Sequence, residues 1–158
     1  MNSDDISIGT ADVGDADEIL TLQKKAFLSE AELTKDLTIP PLTQTVEEIR
    51  ADFGRQVFFK AVKAGRIIGS VRGHIEDGTC FIGRLIVHPD HWNLGIGKRL
   101  MRSIEAHFGA CGRYEVFTGE KSERNIVFYM KRGYRIFRAH PISDRTNLVF
   151  MEKPGCPG

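Results

Sequence analysis

Apolar and polar positions along this chain follow two periods, and the switches between them mark its elements. Ile6 and Ile8 alternate with polar neighbours, which predicts a short first strand. In DADEILTLQKKAF, beginning at Asp15, residues Ile19, Leu22, Ala26 and Phe27 share one helical face, and acids occupy the first turn where the helix dipole favours them. LTIPPLTQ (37–44) is expected as a loop, because two adjacent prolines oppose a helix. Thr45 with Glu48 three residues on forms a capping box that opens a helix through Phe53. VFFKAVK (57–63) and RIIGSVRGHIE (66–76) predict strands joined by a tight turn at Ala64-Gly65. Asp77-Gly78 signals the next hairpin. It leads into TCFIGRLIV (79–87), whose nearly continuous apolar run predicts a central strand.

Beyond a glycine-containing stretch, Ile96, Leu100, Ile104 and Phe108 recur at four-residue spacing and predict a helix. RYEVFTG (113–119) reads as a strand. SERNIVFYMKRG (122–133) reads as a helix with Ser122 as N-cap and Gly133 just past its end. YRIFRA (134–139) and NLVFME (147–152) close the chain as two strands, with a turn near ISDRT (142–146). This order implies one α/β domain over 1–153, a mixed sheet with helices on both faces, followed by a disordered tail at 154–158.

Composition narrows the function classes. At 158 residues and 41% apolar content the chain can build one real core. Its net charge is +1, with Lys and Arg dispersed, which argues against nucleic acid as the main partner. Cys80, Cys111 and Cys156 are odd in number, widely separated and without metal-ligand spacing, so reduced thiols in a cytoplasmic protein are expected and no metal. The opening MNSDDISIGT lacks the apolar core of a signal peptide. No apolar run approaches the ~20 residues that span a bilayer, so no membrane partner is expected.

The candidate chemistry lies in VHPDHWNLGIGKRLM (87–101), where Gly95 and Gly97 precede two basic residues and a helix. A dinucleotide fingerprint needs a third glycine where Leu100 stands and a βαβ setting, whereas the preceding strands are hairpin-linked. A Walker A loop needs four residues between its glycines and Ser/Thr where Arg99 stands. There remain a strand–loop–helix turn that offers backbone N–H groups to a pyrophosphate, and an ordinary left-handed turn before a helix.

IGRLIVHPDHWNLGIGKRLM followed by SERNIVFYMKRGY resembles the GNAT superfamily of N-acetyltransferases, and the element order matches over almost the whole chain. The resemblance implies a single-domain, mostly antiparallel mixed sheet of about seven strands. It implies acetyl-CoA as acyl donor, with Gly95 and Gly97 as the loop glycines and the N–H groups of Asn93, Leu94, Gly95, Ile96, Gly97 and Lys98 facing the pyrophosphate. Leu85, Ile86 and Val87 would line the pantetheine arm through their backbone. Lys98, Arg99 and Arg102 can reach the 3′-phosphate or form a solvated helix face. Tyr129 falls on the tyrosine that protonates the leaving thiolate, and a phenol with pKa near ~10 is protonated at neutral pH and able to do so. Ser122, Asn125 and Tyr129 share a helical face, so Ser122 and Asn125 are cofactor-binding candidates, Ser122 being alternatively only an N-cap.

One position departs from the pattern: the family's Arg/Gln falls on Trp92, whose indole has one N–H and no charge. The general base stays open among Glu115, Glu120, Glu30, Glu32, His74, His88 and a water chain, since Phe117 occupies the commonest position for a glutamate. Segment 29–44 would cover the acceptor side. The reading is an N-acetyltransferase in which a primary amine attacks the thioester directly in a ternary complex. Cys80 and Cys111 match no nucleophile motif. The alternatives are an acyl-CoA-binding sensor with little turnover, and a structural protein that forms a homodimer through the edge of its last two strands.

Overall fold

The computed structural model describes residues 5–34, 37–142, 144 and 147–155, without the side chains of 29–34. Strand β1 (Ile6–Thr10) is followed by α1 (Ala16–Thr34), α2 (Pro40–Thr43) and α3 (Val46–Asp52). Next come β2 (Val57–Lys63), β3 (Arg66–Glu76) and β4 (Thr79–Val87), then α4 (Ile96–His107), β5 (Arg113–Gly119), α5 (Glu123–Lys131), β6 (Arg135–Pro141) and β7 (Asn147–Pro154). The seven strands form one sheet in the order β1-β2-β3-β4-β5-β7-β6, antiparallel except where β4 meets β5. No helix of the described residues is long and apolar enough to cross a membrane.

Local signals explain most of these elements. The Thr45–Glu48 capping box forms in both directions. Ala64-Gly65 and Asp77-Gly78 all take positive φ, the conformation a two-residue hairpin turn requires. Ile96, Leu100 and Ile104 are buried where α4 crosses the sheet. That approach is close because Gly69 and Gly73 of β3 lie beneath it: a Cβ at Gly69 would come within 3.1 Å of Leu100 Cδ1, and one at Gly73 within 3.2 Å of Ile104 Cδ1. A second core cluster, including Ile19, Leu22, Ile49, Phe58 and Ile86, packs α1 and α3 on the opposite face.

Several expectations are corrected. Helix α1 runs to Thr34 rather than ending near Phe27, so Glu30 and Glu32 stand on a helix and not in a loop; SEAEL is rich in good helix formers and holds no breaker. The double proline begins a helical turn, α2, with proline in the first positions, where the missing N–H is unneeded. Pro154 still belongs to β7 opposite Arg113, and the Gly155 N–H donates to the Gly112 carbonyl, so the expected disordered tail is paired at its start. Residues 156–158 lie outside the described residues, as does most of the turn expected over 142–146.

Two irregularities prepare the site. Strand β4 pairs with β5 only over Thr79–Phe81, after which the two diverge and leave a wedge between Ile82–Val87 and the rest of β5. In the β3–β4 ladder, Ser70 faces Ile86 and Arg72 faces Gly83, so Arg84 and Leu85 together oppose Val71. This is a β-bulge, with Arg84 at φ 47°. An extra residue reverses the inward and outward alternation. Arg84 therefore turns toward α2, where it bonds Gln44, while Leu85 packs on the α4 side.

Candidate functional site

The wedge opens on the α4–α5 side into a cavity of about 710 Å³. Its walls are the end of β4 (Leu85, Ile86, Val87), the loop after it (His91, Trp92, Asn93, Gly95), the first turn of α4 (Ile96, Gly97, Lys98), much of α5 and its C-cap Arg132, with Ala26 of α1 closing one side. His88 N–H bonds the Ile68 carbonyl, so by the alternation of an antiparallel ladder the backbone groups of Val87 face away from β3 into the wedge.

The loop is built to present N–H groups. Asn93 (φ 66°) and Gly95 (φ 77°) are left-handed, and Gly95 is the N-cap of α4 with no side-chain capping bond. The first-turn N–H groups of α4 thus lack a cap and sit at the positive end of a twelve-residue helix. A Cβ on Gly95 would meet nothing within 4 Å, which leaves space directly above this turn for a ligand. Four cations line the cavity, Lys98, Arg124, Lys131 and Arg132, against one carboxylate, Glu123. The site therefore suits a polyanion with an apolar stem.

Trp92 has a defined place. Its indole N–H donates to the Val87 carbonyl at 2.9 Å, and the Arg124 guanidinium lies 3.9 Å above its ring centroid. Asn125 and Tyr129 both line the cavity, and the Asn125 amide donates to Thr118 Oγ1 at 3.2 Å, tying α5 to β5. The chain has three tyrosines. Tyr114 donates to the Glu105 carbonyl and Tyr134 to the Glu105 carboxylate, and burial together with these surroundings pushes both phenols up. Only Tyr129 of the three lines the cavity.

Ten of the twelve residues expected at the site line this cavity; Leu94 and Ser122 do not. Leu94 sits between the two left-handed residues and is 44% exposed, turned outward. Ser122 is buried and is the N-cap of α5 by position, without a side-chain capping bond. Of the other basic residues, Arg99 donates to the Ile6 carbonyl and anchors β1, and Arg102 is exposed on α4 outside the cavity.

The base candidates are dispersed. Glu115 pairs with Arg113 at 2.9 Å on the same β5 face as Phe117, which is exposed beside Phe150. His74 stacks on Phe81 and His88 caps the short 3₁₀ turn Pro89–His91, neither lining the cavity. Glu30 and Glu32 have no described side chains. Cys80 is a free, buried thiol pushed up to about 12 by burial and then by Cys111 and Glu105, which denies it nucleophilic character at neutral pH.

The cavity residues that sequence reasoning missed include His91, Arg124, Phe128, Lys131 and Arg132. Phe128 and Arg132 carried a signal, lying three and seven residues after Asn125 on the helix already singled out. Arg124 carried none.

The Acetyltransferase (GNAT) family model matches residues 17–134. The chain is 31% identical over 120 residues to the UPF0157 protein YqkA of Bacillus subtilis, which is 76% of this chain and 34% of that protein; it spans about a third of this relative's length. Among solved structures, the ribosomal-protein-S18-alanine N-acetyltransferase of Escherichia coli superposes with a TM-score of 0.78 at 14% identity, covering 94% of this chain and 93% of that one. The PaiA N-acetyltransferase of Thermoplasma acidophilum, solved in complex with coenzyme A, gives 0.68 at 15% identity, over 94% and 98%. At these identities the likeness to the solved structures concerns the fold.

Proposed function

The chain belongs to the GNAT acetyltransferase family, and from that membership we propose that it transfers the acetyl group of acetyl-CoA to a primary amine within a ternary complex. The observation that carries the donor assignment is the cavity in the β4–β5 wedge, where uncapped helix N–H groups and four cations converge on one apolar channel. Acetyl-CoA supplies an activated thioester. The loop from Asn93 and the first turn of α4 hold its pyrophosphate through backbone N–H groups. The wedge edge of β4 guides the pantetheine arm, and Asn125 offers its amide beside it. Leu94 and Ser122 support this shell from outside the cavity.

Tyr129 is the general acid. As the amine nitrogen bonds the carbonyl carbon and the carbon–sulfur bond breaks, Tyr129 gives its phenolic proton to the sulfur; overall one proton passes from nitrogen to sulfur. A wedge-facing N–H of β4 polarises the carbonyl. Acetyl transfer is direct, which the suppressed Cys80 thiol supports. The two free cysteines described support a cytoplasmic location.

The test has two stages. A thermal shift on adding acetyl-CoA is expected, and its absence would remove the donor assignment. Release of free thiol across a panel of amines then reads turnover. Tight binding without release on any amine would replace the enzyme by an acyl-CoA sensor.

A further inference from the structure

The loop from Trp92 to Gly97 carries no cationic side chain, although it faces the cavity proposed to take phosphate. Charge reaches it from another element. Arg124 in the first turn of α5 lies 3.9 Å above the Trp92 ring centroid, and the ring is fixed in turn by its N–H bond to the Val87 carbonyl. All three residues line the cavity.

We propose that Trp92 and Arg124 act as one unit, in which the indole holds the guanidinium as a phosphate-binding cation for the acyl donor. This rests on the donor assignment above. An exposed arginine ordinarily has many rotamers to lose when it is held in one place. Stacking uses the flat face of the guanidinium and leaves its edge N–H donors available to an anion in its plane. Among the described residues no carboxylate forms an ion pair with Arg124, so its charge is uncompensated at the cavity wall. Trp92 thus does by position what a charged loop residue would do by contact.

The test titrates the full chain with acetyl-CoA by calorimetry. Arg124 is exposed, so Arg124→Ala is expected to fold with unchanged melting temperature and to bind roughly 10- to 100-fold more weakly. Arg124→Lys should recover part of the loss. Trp92→Phe keeps an aromatic face and should stay close to the parent, whereas Trp92→Ala should weaken binding. The double variant Trp92→Ala/Arg124→Ala should bind no worse than Arg124→Ala alone; additive losses would overturn the coupling. S-acetylpantetheine, which has no phosphate, must be indifferent to Arg124→Ala, and an equal loss there would overturn the phosphate role. With dephospho-acetyl-CoA, a persisting loss assigns Arg124 to the pyrophosphate and a vanished one to the 3′-phosphate, either supporting the proposal. A parent that binds acetyl-CoA while Arg124→Ala binds equally well sinks this inference alone; a parent that binds none sinks the donor assignment with it.

Discussion

On the face of β4 toward α1–α3, polar groups are buried and mutually satisfied; on the face toward α4 and α5, they are left open to a cavity. The closed face is a side-chain network. Arg72 donates to Asp52 and to Gln23, each at 2.7 Å, Gln44 donates to Asp52 at 2.7 Å, and Arg84 donates to Gln44. Burial and the neighbouring Arg84 charge push Arg72 down to about 9, and Asp52 opposes that fall. Burial by itself would raise the Asp52 carboxyl, but hydrogen bonds from Arg55 and Gln44 and the charges of Arg72 and Arg55 hold it below the ordinary carboxylate value. The open face offers backbone N–H groups, an uncapped helix and an unneutralised arginine. Side chains that satisfy one another make a frame; groups turned toward a cavity make a candidate site. The bulge at Arg84 and Leu85 divides the two.

This contrast breaks most severely on the closed face. Asp52→Asn leaves the buried Arg72 guanidinium without its counter-charge and should cost about 3–5 kcal/mol of stability by chemical denaturation at neutral pH, with acetyl-CoA affinity unchanged while the chain is folded. Because the Asp52 pKa is depressed in the folded state, its charge stabilises fully above the unfolded carboxylate value of about 4 and ceases to do so as pH falls through the folded value. The gap between parent and variant should therefore close below about pH 4; a constant gap would mean that packing, not charge, is lost.

On the open face the effects move from stability to function. Tyr129→Phe should lower kcat about 100-fold, or ~2.7 kcal/mol, at unchanged acetyl-CoA affinity. Full turnover would show that the phenol only packs α5 against the sheet. Gly95→Ala places a side chain at φ 77° and should cost about 1–2 kcal/mol in stability and weaken acetyl-CoA as well, since its Cβ enters the open space above the turn. Gly97→Ala is the control: this residue is helical and its added Cβ reaches Phe128 at 3.4 Å, so stability should stay within about 0.5 kcal/mol of the parent. A modest effect is expected from Trp92→Arg, below about 1.4 kcal/mol in acetyl-CoA affinity, because the backbone N–H groups remain and the new guanidinium offsets the loss of the ring that holds Arg124. A hundredfold tightening would show that the side chain at position 92 governs donor binding.

Local signals made much of this molecule readable. The hairpin turns at Ala64-Gly65 and Asp77-Gly78, the Thr45 cap, the buried Ile96–Leu100–Ile104 row and the Gly95 turn are each decided within a few residues by φ, periodicity or capping. The candidate cavity was legible where it shares that locality: Gly95, Ile96, Gly97 and Lys98 at one helix start, Asn125 and Tyr129 on one helix face. Leu94 was expected there through its backbone N–H; its side chain, between two left-handed residues, is exposed outside the cavity, which composition does not reveal.

The sequence by itself determined most of the elements, their order and the left-handed glycine turn before α4, since backbone dihedrals and apolar period act over short range. Tertiary structure alone decided the insertion of β7 between β5 and β6, the bulge that sends Arg84 and Leu85 to opposite faces, and the wedge that becomes the cavity. It also decided that Arg124 meets Trp92, thirty-two positions away in the chain. Those features depend on which strands pair and how far, and pairing is a property of surfaces brought together from distant parts of the chain, not of any stretch read alone.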